Sequence, residues 1–317
     1  MAYTIIKPAD RQAWLAQREK GIGSSEVGTI LGVNPFQTPY QLWRRKKGLD
    51  APIQENEAMR AGHILEGAVA TYFEEETGRE VIKASAGDWL AVDKEKDYLR
   101  VSPDRTYWLE GKHSKDNKGI LEIKTTQLDI DSDELPPHWY CQLSYQLGVM
   151  GYRQGSLAWL TRGRKFGYAD IRFDPDFYDY MVGKLTQFWV DYIQGDKEPP
   201  ATSIEDVCLK FPRSIGKAIE ANDEVMEAVN NLKMVKTQID ELNKQKKEAE
   251  DLIKTFMADS DTLCLAGTKE SNPVVVATWK TAKDTLKFDQ VKFSEECPAI
   301  FEKYLTNVTG SRRFLLK

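Results

Sequence analysis

The sequence predicts an α/β core followed by a helical extension. Over residues 1–200, short apolar runs with alternating side chains, typical of strands, are interleaved with longer segments of helical periodicity. A Gly- and Pro-containing stretch, 195–200, then interrupts this pattern. We therefore predict a mixed central sheet flanked by helices over 1–200, and a coiled-coil-like extension with a short β element over 201–317.

The helices are predicted from recurring apolar residues and from residues that begin or end helices. Ser24 or Ser25 is expected to cap one helix, Pro39 to open the next, and Gly78 to close a longer one. The predicted helices are a short one around Trp14, then 26–31, 39–47, 56–77, 138–150, 175–193 and 223–258. The predicted strands are 80–84, 89–92, 98–102, 106–109, 120–125, 154–161, 166–173 and 273–280.

The extension carries a heptad pattern over 223–258. One row of the pattern is Val225, Leu232, Ile239, Lys246 and Ile253, and the row beside it is Ala228, Val235, Leu242, Ala249 and Phe256. Because Lys246 occupies a seam position, a simple long homodimeric coil is disfavoured. We predict a helical hairpin or a partner-docking arm.

Composition points to an ordinary soluble protein. The chain has 317 residues, a net charge of −5, 41% hydrophobic residues and 29% charged residues. It has no apolar run near the roughly 20 residues that cross a bilayer, and its N-terminus lacks the apolar stretch of a secretory signal. We therefore expect a cytoplasmic protein with no membrane partner. The dispersed cysteines and histidines disfavour zinc, iron–sulfur and disulfide sites.

Asp104 and the downstream triplet Glu122-Ile123-Lys124 form the most informative motif. Side chains alternate along a strand, so Leu121 and Ile123 are expected to face the core while Glu122 and Lys124 face a cleft. Asp104 follows another predicted strand, which lets two carboxylates and an amine meet at strand ends. Such oxygen ligands suit Mg²⁺ or Mn²⁺. The spacing alone is weak, and a surface hairpin with these polar groups in solvent is the alternative.

Other polar residues occur at positions where they could join this site. Each has a simpler alternative interpretation, as a solvated helix carboxylate, a surface amide or a helix cap. These residues are Glu66 beside an apolar helix stripe, Gln142 and Gln146 one turn apart, Ser102 before Pro103, and Arg18 near Ser24 and Ser25.

Five sequence blocks, taken together, resemble a known family. In order they are GIGSSEVGTILGVNPFQTPYQLW, RAGHILEGAVATYF, VSPDR, LEIKT and PHWYCQLSYQLGVMGY. This order resembles the YqaJ-type viral recombinases, which are similar to the phage lambda exonuclease in the PD-(D/E)xK nuclease superfamily. The resemblance covers about residues 11–195. The SRRF segment near the C-terminus also resembles the C-terminal extension of that family.

The resemblance implies a restriction-endonuclease-like core and a specific activity. That activity is Mg²⁺-dependent digestion of double-stranded DNA ends in the 5′-to-3′ direction, with Mn²⁺ as a substitute. The product is a 3′ single strand for a single-strand annealing protein in phage-type recombination. A homo-oligomer, such as a ring trimer, and a bacterial host carrying a phage or prophage are also implied.

The resemblance also implies roles for individual residues. The catalytic residues would be Glu66, Asp104, Glu122, Lys124 and Gln142. The metal ligands would be Asp104, Glu122, the main-chain carbonyl of Ile123 and, directly or through water, Glu66. The residues that hold the DNA 5′-phosphate would be Arg18, Ser25 and Ser102.

Two alternative functions stay open, and so does the role of the basic run 44–47. A structure- or sequence-specific endonuclease of the same superfamily would use the same residues. A non-catalytic DNA-binding scaffold is disfavoured because Asp104, Glu122 and Lys124 are all present. The basic run 44–47 could contact DNA phosphates, although a solvated helix end that complements the helix dipole is the simpler interpretation.

Overall fold

The computed structural model describes residues 3–51, 56–82, 89–109, 114, 117–265, 274–308 and 310–317. Predicted strand residues 83, 84 and 273, together with His113, lie outside these ranges. The chain forms two compact units, which meet in sequence at Lys210 and Phe211.

The helices and strands of the described ranges follow the predicted order, with several additions. The helices are α1 (Arg11–Glu19), α2 (Val27–Ile30), α3 (Pro39–Lys46), α4 (Glu57–Thr77), α5 (Pro137–Met150), α6 (Pro175–Phe188), α7 (Ile204–Lys210), α8 (Asp223–Met257), α9 (Gln290–Glu296) and α10 (Pro298–Lys303). The strands are β1 (Tyr3–Ile6), β2 (Ile22–Gly23), β3 (Val81–Ile82), β4 (Leu90–Asp93), β5 (Leu99–Val101), β6 (Arg105–Trp108), β7 (Lys118–Thr126), β8 (Gln154–Thr161), β9 (Lys165–Arg172), β10 (Thr262–Leu265) and β11 (Val274–Thr278).

The larger sheet of the first unit is mixed, as predicted. In the described residues its strand order is β3-β6-β7-β8-β9. Strand β7 lies at its centre, antiparallel to β6 and parallel to β8. The parallel pair requires a crossover, and α5 supplies it. This confirms an α/β core with a mixed sheet flanked by helices.

Two helices cover opposite faces of this sheet. On one face, Val69 and Phe73 of α4 pack on Leu121 and Ile123 of β7. On the other, α5 packs between the larger sheet and a smaller one of strand order β1-β4-β5-β2. Most of α5 is buried for this reason, so its polar residues are enclosed with its apolar ones.

Strand β1 was not among the predicted elements. It pairs antiparallel with β4, and Tyr3 is buried there. The segment is short and lies at the edge of its sheet, so its own residues give little alternation to detect. The strand forms because it pairs with β4, and the local sequence pattern alone does not predict this pairing.

The helix start at Ser24 and Ser25 differs from the prediction. Residues Ser24–Glu26 form a 3₁₀ turn, α2 follows directly, and neither start has a side-chain cap from a serine. Instead the Glu26 carboxylate accepts a hydrogen bond from Gly23 N–H at 2.9 Å. At Gly28 a β-carbon would lie 2.7 Å from His138 Cβ, so glycine is needed for α2 to approach α5.

The boundary between the units lies after α7, beyond the predicted boundary at 200/201. Asp206 of α7 is fully buried and fastens this helix to the first unit. Its carboxylate accepts hydrogen bonds from Thr38 Oγ1 at 2.7 Å and Thr202 N–H at 2.9 Å. The buried, hydrogen-bonded acid keeps the segment after the Pro-rich stretch in the core.

The second unit contains the long helix α8 and the hairpin of β10 and β11. α8 is one continuous helix, so the predicted fold-back into a helical hairpin is wrong. The seam residues stay exposed, with Leu242 at 62% and Phe256 at 77%. No helix in the ranges listed at the start of this section combines the length and hydropathy of a transmembrane span.

Candidate active site

Strand β7 places the four motif residues as alternation predicts. Leu121 and Ile123 face α4 and are buried in an apolar cluster. Glu122 and Lys124 face the other way, toward α5. The predicted cleft is closed more tightly than expected, because Glu122 is only 2% exposed. The interpretation of these residues as a solvated hairpin face is therefore wrong.

The Glu122 carboxylate is held by three donors. Lys124 Nζ lies 2.7 Å from its Oε1, and Gln142 Nε2 donates to the same oxygen. Gln146 Nε2 donates to Oε2 at 2.8 Å. The amide oxygen of Gln142 also accepts from Lys124 at 2.9 Å. The two glutamines can share one carboxylate because residues four apart lie on the same helix face.

Asp104 approaches the same strand from the turn between β5 and β6. Its Oδ2 accepts a hydrogen bond from the main-chain N–H of Ile123 at 2.7 Å. Arg105 is the residue of β6 that pairs with Leu121, so among the described residues this edge of β7 has no strand partner at Ile123. The N–H and C=O of one strand residue point to the same edge, which aims the Ile123 carbonyl toward Asp104.

Burial sets the protonation behaviour of this cluster. It raises the pKa of Asp104 well above the ordinary value, and the neighbouring Glu122 charge raises it further, while Lys124 opposes the rise. Burial pulls the pKa of Lys124 down, but the charges of Glu122 and Asp104 outweigh it and the net pKa is raised. Lys124 is thus an ammonium ion between two carboxyl groups.

Glu66 lies at the edge of the site on α4. Its carboxylate forms an ion pair with Arg105, which directly follows Asp104. Arg105 also donates to the main-chain oxygen of Asp104 at 2.6 Å. Arg105 lies within the VSPDR block, but no role was predicted for it.

A cavity of about 500 Å³ brings the remaining predicted residues together with Asp104 and Glu66. Its lining includes Arg18, Ser24, Ser25, His63, Glu66, Ser102, Asp104, Arg105 and Gln142. Arg18 Nη2 donates to Ser25 Oγ at 3.1 Å and stacks 4.7 Å from the Trp14 ring centroid. Ser102 Oγ donates to Trp89 O at 2.8 Å. Burial lowers the pKa of Arg18 from its ordinary value.

The basic run at the end of α3 is engaged within the chain. Arg45 and Lys46 form ion pairs with buried Glu26 at 2.6 and 2.8 Å. Arg44 pairs with Asp50, and Lys47 donates to the main-chain oxygen of Ile193. The interpretation as a solvated helix end is therefore wrong for Arg44, Arg45 and Lys46, which have a structural role, while the DNA phosphate contact stays a prediction.

The donor set fits a hard divalent cation. Within the described residues, no three histidine, cysteine or acidic side chains are grouped to hold a metal ion as they stand. Glu122 is nonetheless a buried carboxyl group beside the partly buried carboxyl group of Asp104, and Lys124 offsets one of their two charges. Carboxylate oxygens beside a main-chain carbonyl are the ligands that Mg²⁺ and Mn²⁺ prefer.

Gln146 is a site residue to which the sequence assigned no role. Besides holding Glu122, its Nε2 lies 3.2 Å from Ser24 Oγ, so it links the acid to the cavity wall. Its four-residue spacing from Gln142 indicated that the two side chains share a helix face. The sequence did not show that both would bind the Glu122 carboxylate, because Glu122 lies on a different element.

The acid pair of Asp104 and Glu122, with Lys124 beside it on a mixed sheet, defines the class of the protein: it is an enzyme of the nuclease type. A model of the YqaJ-like viral recombinase domain matches residues 13–153. YqaJ of Bacillus subtilis (strain 168) is 30% identical over 320 residues, which cover 97% of this chain and 94% of that protein. The chain belongs to the YqaJ family.

Two solved structures are similar in part. The alkaline exonuclease LHK-Exo from Laribacter hongkongensis is 17% identical, with a TM-score of 0.43 over 63% of this chain and 96% of that one. A phage-related exonuclease from Haemophilus somnus 129PT is 12% identical, with a TM-score of 0.39 over 55% of this chain and 94% of that one.

Proposed function

We propose that this protein is a metal-dependent deoxyribonuclease that digests double-stranded DNA from its ends, in the 5′-to-3′ direction, and leaves a 3′ single strand. One observation carries the proposal. Glu122 and Lys124 are paired on β7, and Asp104 accepts a hydrogen bond from Ile123 between them and lines a cavity that also contains Arg18. Membership of the YqaJ family supports the same conclusion.

Asp104 and Glu122 would hold Mg²⁺, with Mn²⁺ as a substitute. The main-chain carbonyl of Ile123 would add a ligand, because that edge of β7 is open toward Asp104. Glu66 would reach the ion directly or through water once released from Arg105. A bound divalent ion lowers the pKa of water and stabilises the charge that develops on phosphate oxygens.

Lys124 would orient the attacking water and stabilise negative charge beside it. Its ammonium is held by Glu122 and Gln142, and this fixes the position of Nζ on a rigid strand. Gln142 and Gln146 would keep the Glu122 carboxylate oriented, since the side-chain amide of each donates a hydrogen bond to it.

Arg18, Ser25 and Ser102 would bind the 5′-terminal phosphate. They line the cavity that also contains Asp104. Arg18 supplies a guanidinium, which binds phosphate through paired N–H donors. The contribution of a helix N-terminus is small here, because α2 spans only Val27–Ile30. A phosphate fixed at this point would place the first phosphodiester bonds near the acids.

Digestion of linear duplexes labelled at either end tests the proposal. With Mg²⁺, a 5′ label should appear first in mononucleotides, while a 3′ label stays in long strands. Without Mg²⁺, neither label should be released. Early release of the 3′ label would contradict the polarity.

Closed circular duplex separates this proposal from an endonuclease. The circle should survive under conditions that degrade the linear form, and cutting it would favour the structure- or sequence-specific alternative. The Asp104→Asn variant should release neither the 5′ label nor the 3′ label. A wild-type protein that binds DNA but releases no nucleotide with Mg²⁺ or Mn²⁺ would favour the scaffold alternative.

The setting proposed for this activity is phage-type recombination in a bacterial cytoplasm. The 3′ strand would pass to a single-strand annealing protein. We propose a homo-oligomer, with a ring trimer as one form, and an oligomerisation or partner-docking role for the second unit. The exposed seam of α8 supports that role, since an apolar heptad stripe requires a covering surface.

A further inference from the structure

Two distant segments of the second unit enclose a polar cavity. Residues 212–214 and 310–313 line a space of about 450 Å³. They contribute Arg213, Arg312 and Arg313, together with Ser214 and Ser311. The SRRF segment therefore meets, in space, an Arg-Ser pair about a hundred positions earlier in the chain.

The arginine cluster, defined as Arg213, Arg312 and Arg313, brings three positive charges to this cavity. In the described part of the chain no carboxylate pairs with any of the three, and the cavity lining contains no acid. Arg312 Nη1 donates to the main-chain oxygen of Phe211 at 3.3 Å, which holds the two segments together. Three guanidinium groups at one cavity repel each other unless an anion lies between them.

The polar groups around the cavity match a phosphate group. A guanidinium presents several N–H donors in one plane, and serine hydroxyls add short-range donors to phosphate oxygens. The cavity wall also contains Gly310, whose α-carbon faces open space. Main chain can therefore approach an oxyanion there without a side chain in the way.

Two exposed phenylalanines flank the cluster. Phe211 adjoins the first segment and is 51% exposed, and Phe314 adjoins the second and is 78% exposed. Exposed aromatic rings beside arginines are the usual elements of single-strand recognition, in which bases stack on the rings and phosphates meet the cations. In duplex DNA the bases are already stacked on each other, so these rings would have nothing to bind.

We propose that the arginine cluster is a binding site for single-stranded DNA, with backbone phosphates on the guanidinium groups and bases on Phe211 and Phe314. It would retain the strand that the nuclease leaves, so this inference rests on the proposed function. The site lies in a different compact unit from the acids. DNA cleavage and the binding of single-stranded DNA can thus be measured separately.

Fluorescence anisotropy of a labelled oligothymidylate tests the site in the full-length protein, with EDTA present to prevent cleavage. The double variant Arg213→Gln/Arg313→Gln should bind about tenfold more weakly or worse. The slope of log Kd plotted against log salt concentration should become smaller in this variant, by roughly 0.7 for each phosphate contact removed. The matched control is Lys280→Gln/Lys283→Gln, which removes two exposed charges elsewhere in the same unit and should bind like wild type.

The aromatic contribution is tested with Phe314→Ala. This variant should weaken binding of the oligothymidylate at least about fivefold, and should leave binding of an abasic strand of the same length unchanged. Equal affinity of wild type and the arginine double variant would overturn the proposal, and so would a preference of the cluster for duplex or for polyglutamate.

Failure of this site and failure of the proposed function give different results. If the site is wrong but the nuclease is real, wild type still releases nucleotides from linear duplex with Mg²⁺ while the arginine variant binds single strands normally. If the nuclease is wrong, wild type releases nothing with Mg²⁺. The arginine variant should keep wild-type release from short duplexes, because the cluster is not part of the acid site.

Discussion

Lys124 Nζ lies 2.7 Å from Glu122 Oε1, although the two residues belong to the same strand and differ by two positions. Such neighbours share a strand face, and α5 covers this face with Gln142 and Gln146. A lysine in contact with a buried carboxylate keeps its charge. The amine is therefore fixed in place before any substrate binds.

Lys124→Ala should lower the rate of DNA cleavage by about 100-fold or more, which is typical of removing a group that assists proton transfer. DNA binding measured in EDTA should change little. The matched control is Lys118→Ala, a lysine on the same strand that lies 4.6 Å from the Trp108 ring centroid. Wild-type cleavage by Lys124→Ala would remove the proposed role.

Mn²⁺ should raise the thermal unfolding temperature of the wild type, because a ligand that binds only the folded state stabilises it. The shift should disappear in Asp104→Asn, which loses one of the two carboxylates. Differential scanning fluorimetry with and without EDTA measures it. An equal Mn²⁺ shift in this variant would exclude Asp104 as a ligand.

Gln146→Leu should lower the free energy of unfolding by about 1–3 kcal/mol, since it removes a hydrogen bond to the buried carboxylate of Glu122. The same variant should lose cleavage activity, because Glu122 would no longer be oriented. Urea denaturation and nucleotide release are the measurements. Gln127→Leu changes an exposed glutamine just after β7 and is the control. If both variants unfold alike, Gln146 is not a supporting residue.

Stability should depend on pH through Glu26. Burial opposes its ionisation, but Lys46 and Arg45 outweigh burial and lower its pKa. A lowered folded pKa means that the stabilisation is fully present above the unfolded value of about 4.3 and is lost as the pH falls through the folded pKa. Glu26→Gln should cost about 3 kcal/mol at pH 7, and the difference from wild type should shrink below pH ~4.

Urea denaturation at several pH values measures this effect. Glu57→Gln is the control, because that carboxylate is exposed and lies 3.7 Å from Arg60 in a surface pair. It should match wild type at every pH. A pH-independent loss in Glu26→Gln would mean that shape rather than charge carries the contribution.

Arg18→Gln should remove a preference for 5′-phosphorylated duplexes. Wild type should digest a 5′-phosphate end faster than a 5′-hydroxyl end, because Arg18 lies in the cavity beside Asp104. The variant should digest both at one similar, slower rate. Arg60→Gln on the surface of α4 is the control and should keep the preference. Equal wild-type rates on both ends would contradict the phosphate assignment.

Local pattern was enough to predict most of the first unit. The alternation of Leu121, Glu122, Ile123 and Lys124 fixed which side chains share a face, and the structure confirms it. The interleaved periods also predicted a mixed sheet with flanking helices, with most boundaries within a few residues. Short elements such as β1 and α7 were not predicted, because they contain too few residues to show a hydrophobic periodicity.

The tertiary structure decided what each charged residue does. Arg45 and Lys46 looked like a surface run, yet they neutralise Glu26, about twenty positions earlier in the chain. The helix of 223–258 was predicted, but the hairpin, one of its two predicted arrangements, was wrong.

The alternating faces of the strands and the helix periods could be predicted from the amino-acid sequence alone, because they follow from neighbours a few positions apart, whose geometry the backbone fixes. The family could be predicted from the order of the five sequence blocks. The hydrogen bond from Gln146 to Glu122 and the cavity that Arg18 and Asp104 share became visible only in the folded chain. Such contacts join residues far apart in the chain, and packing of whole elements sets them.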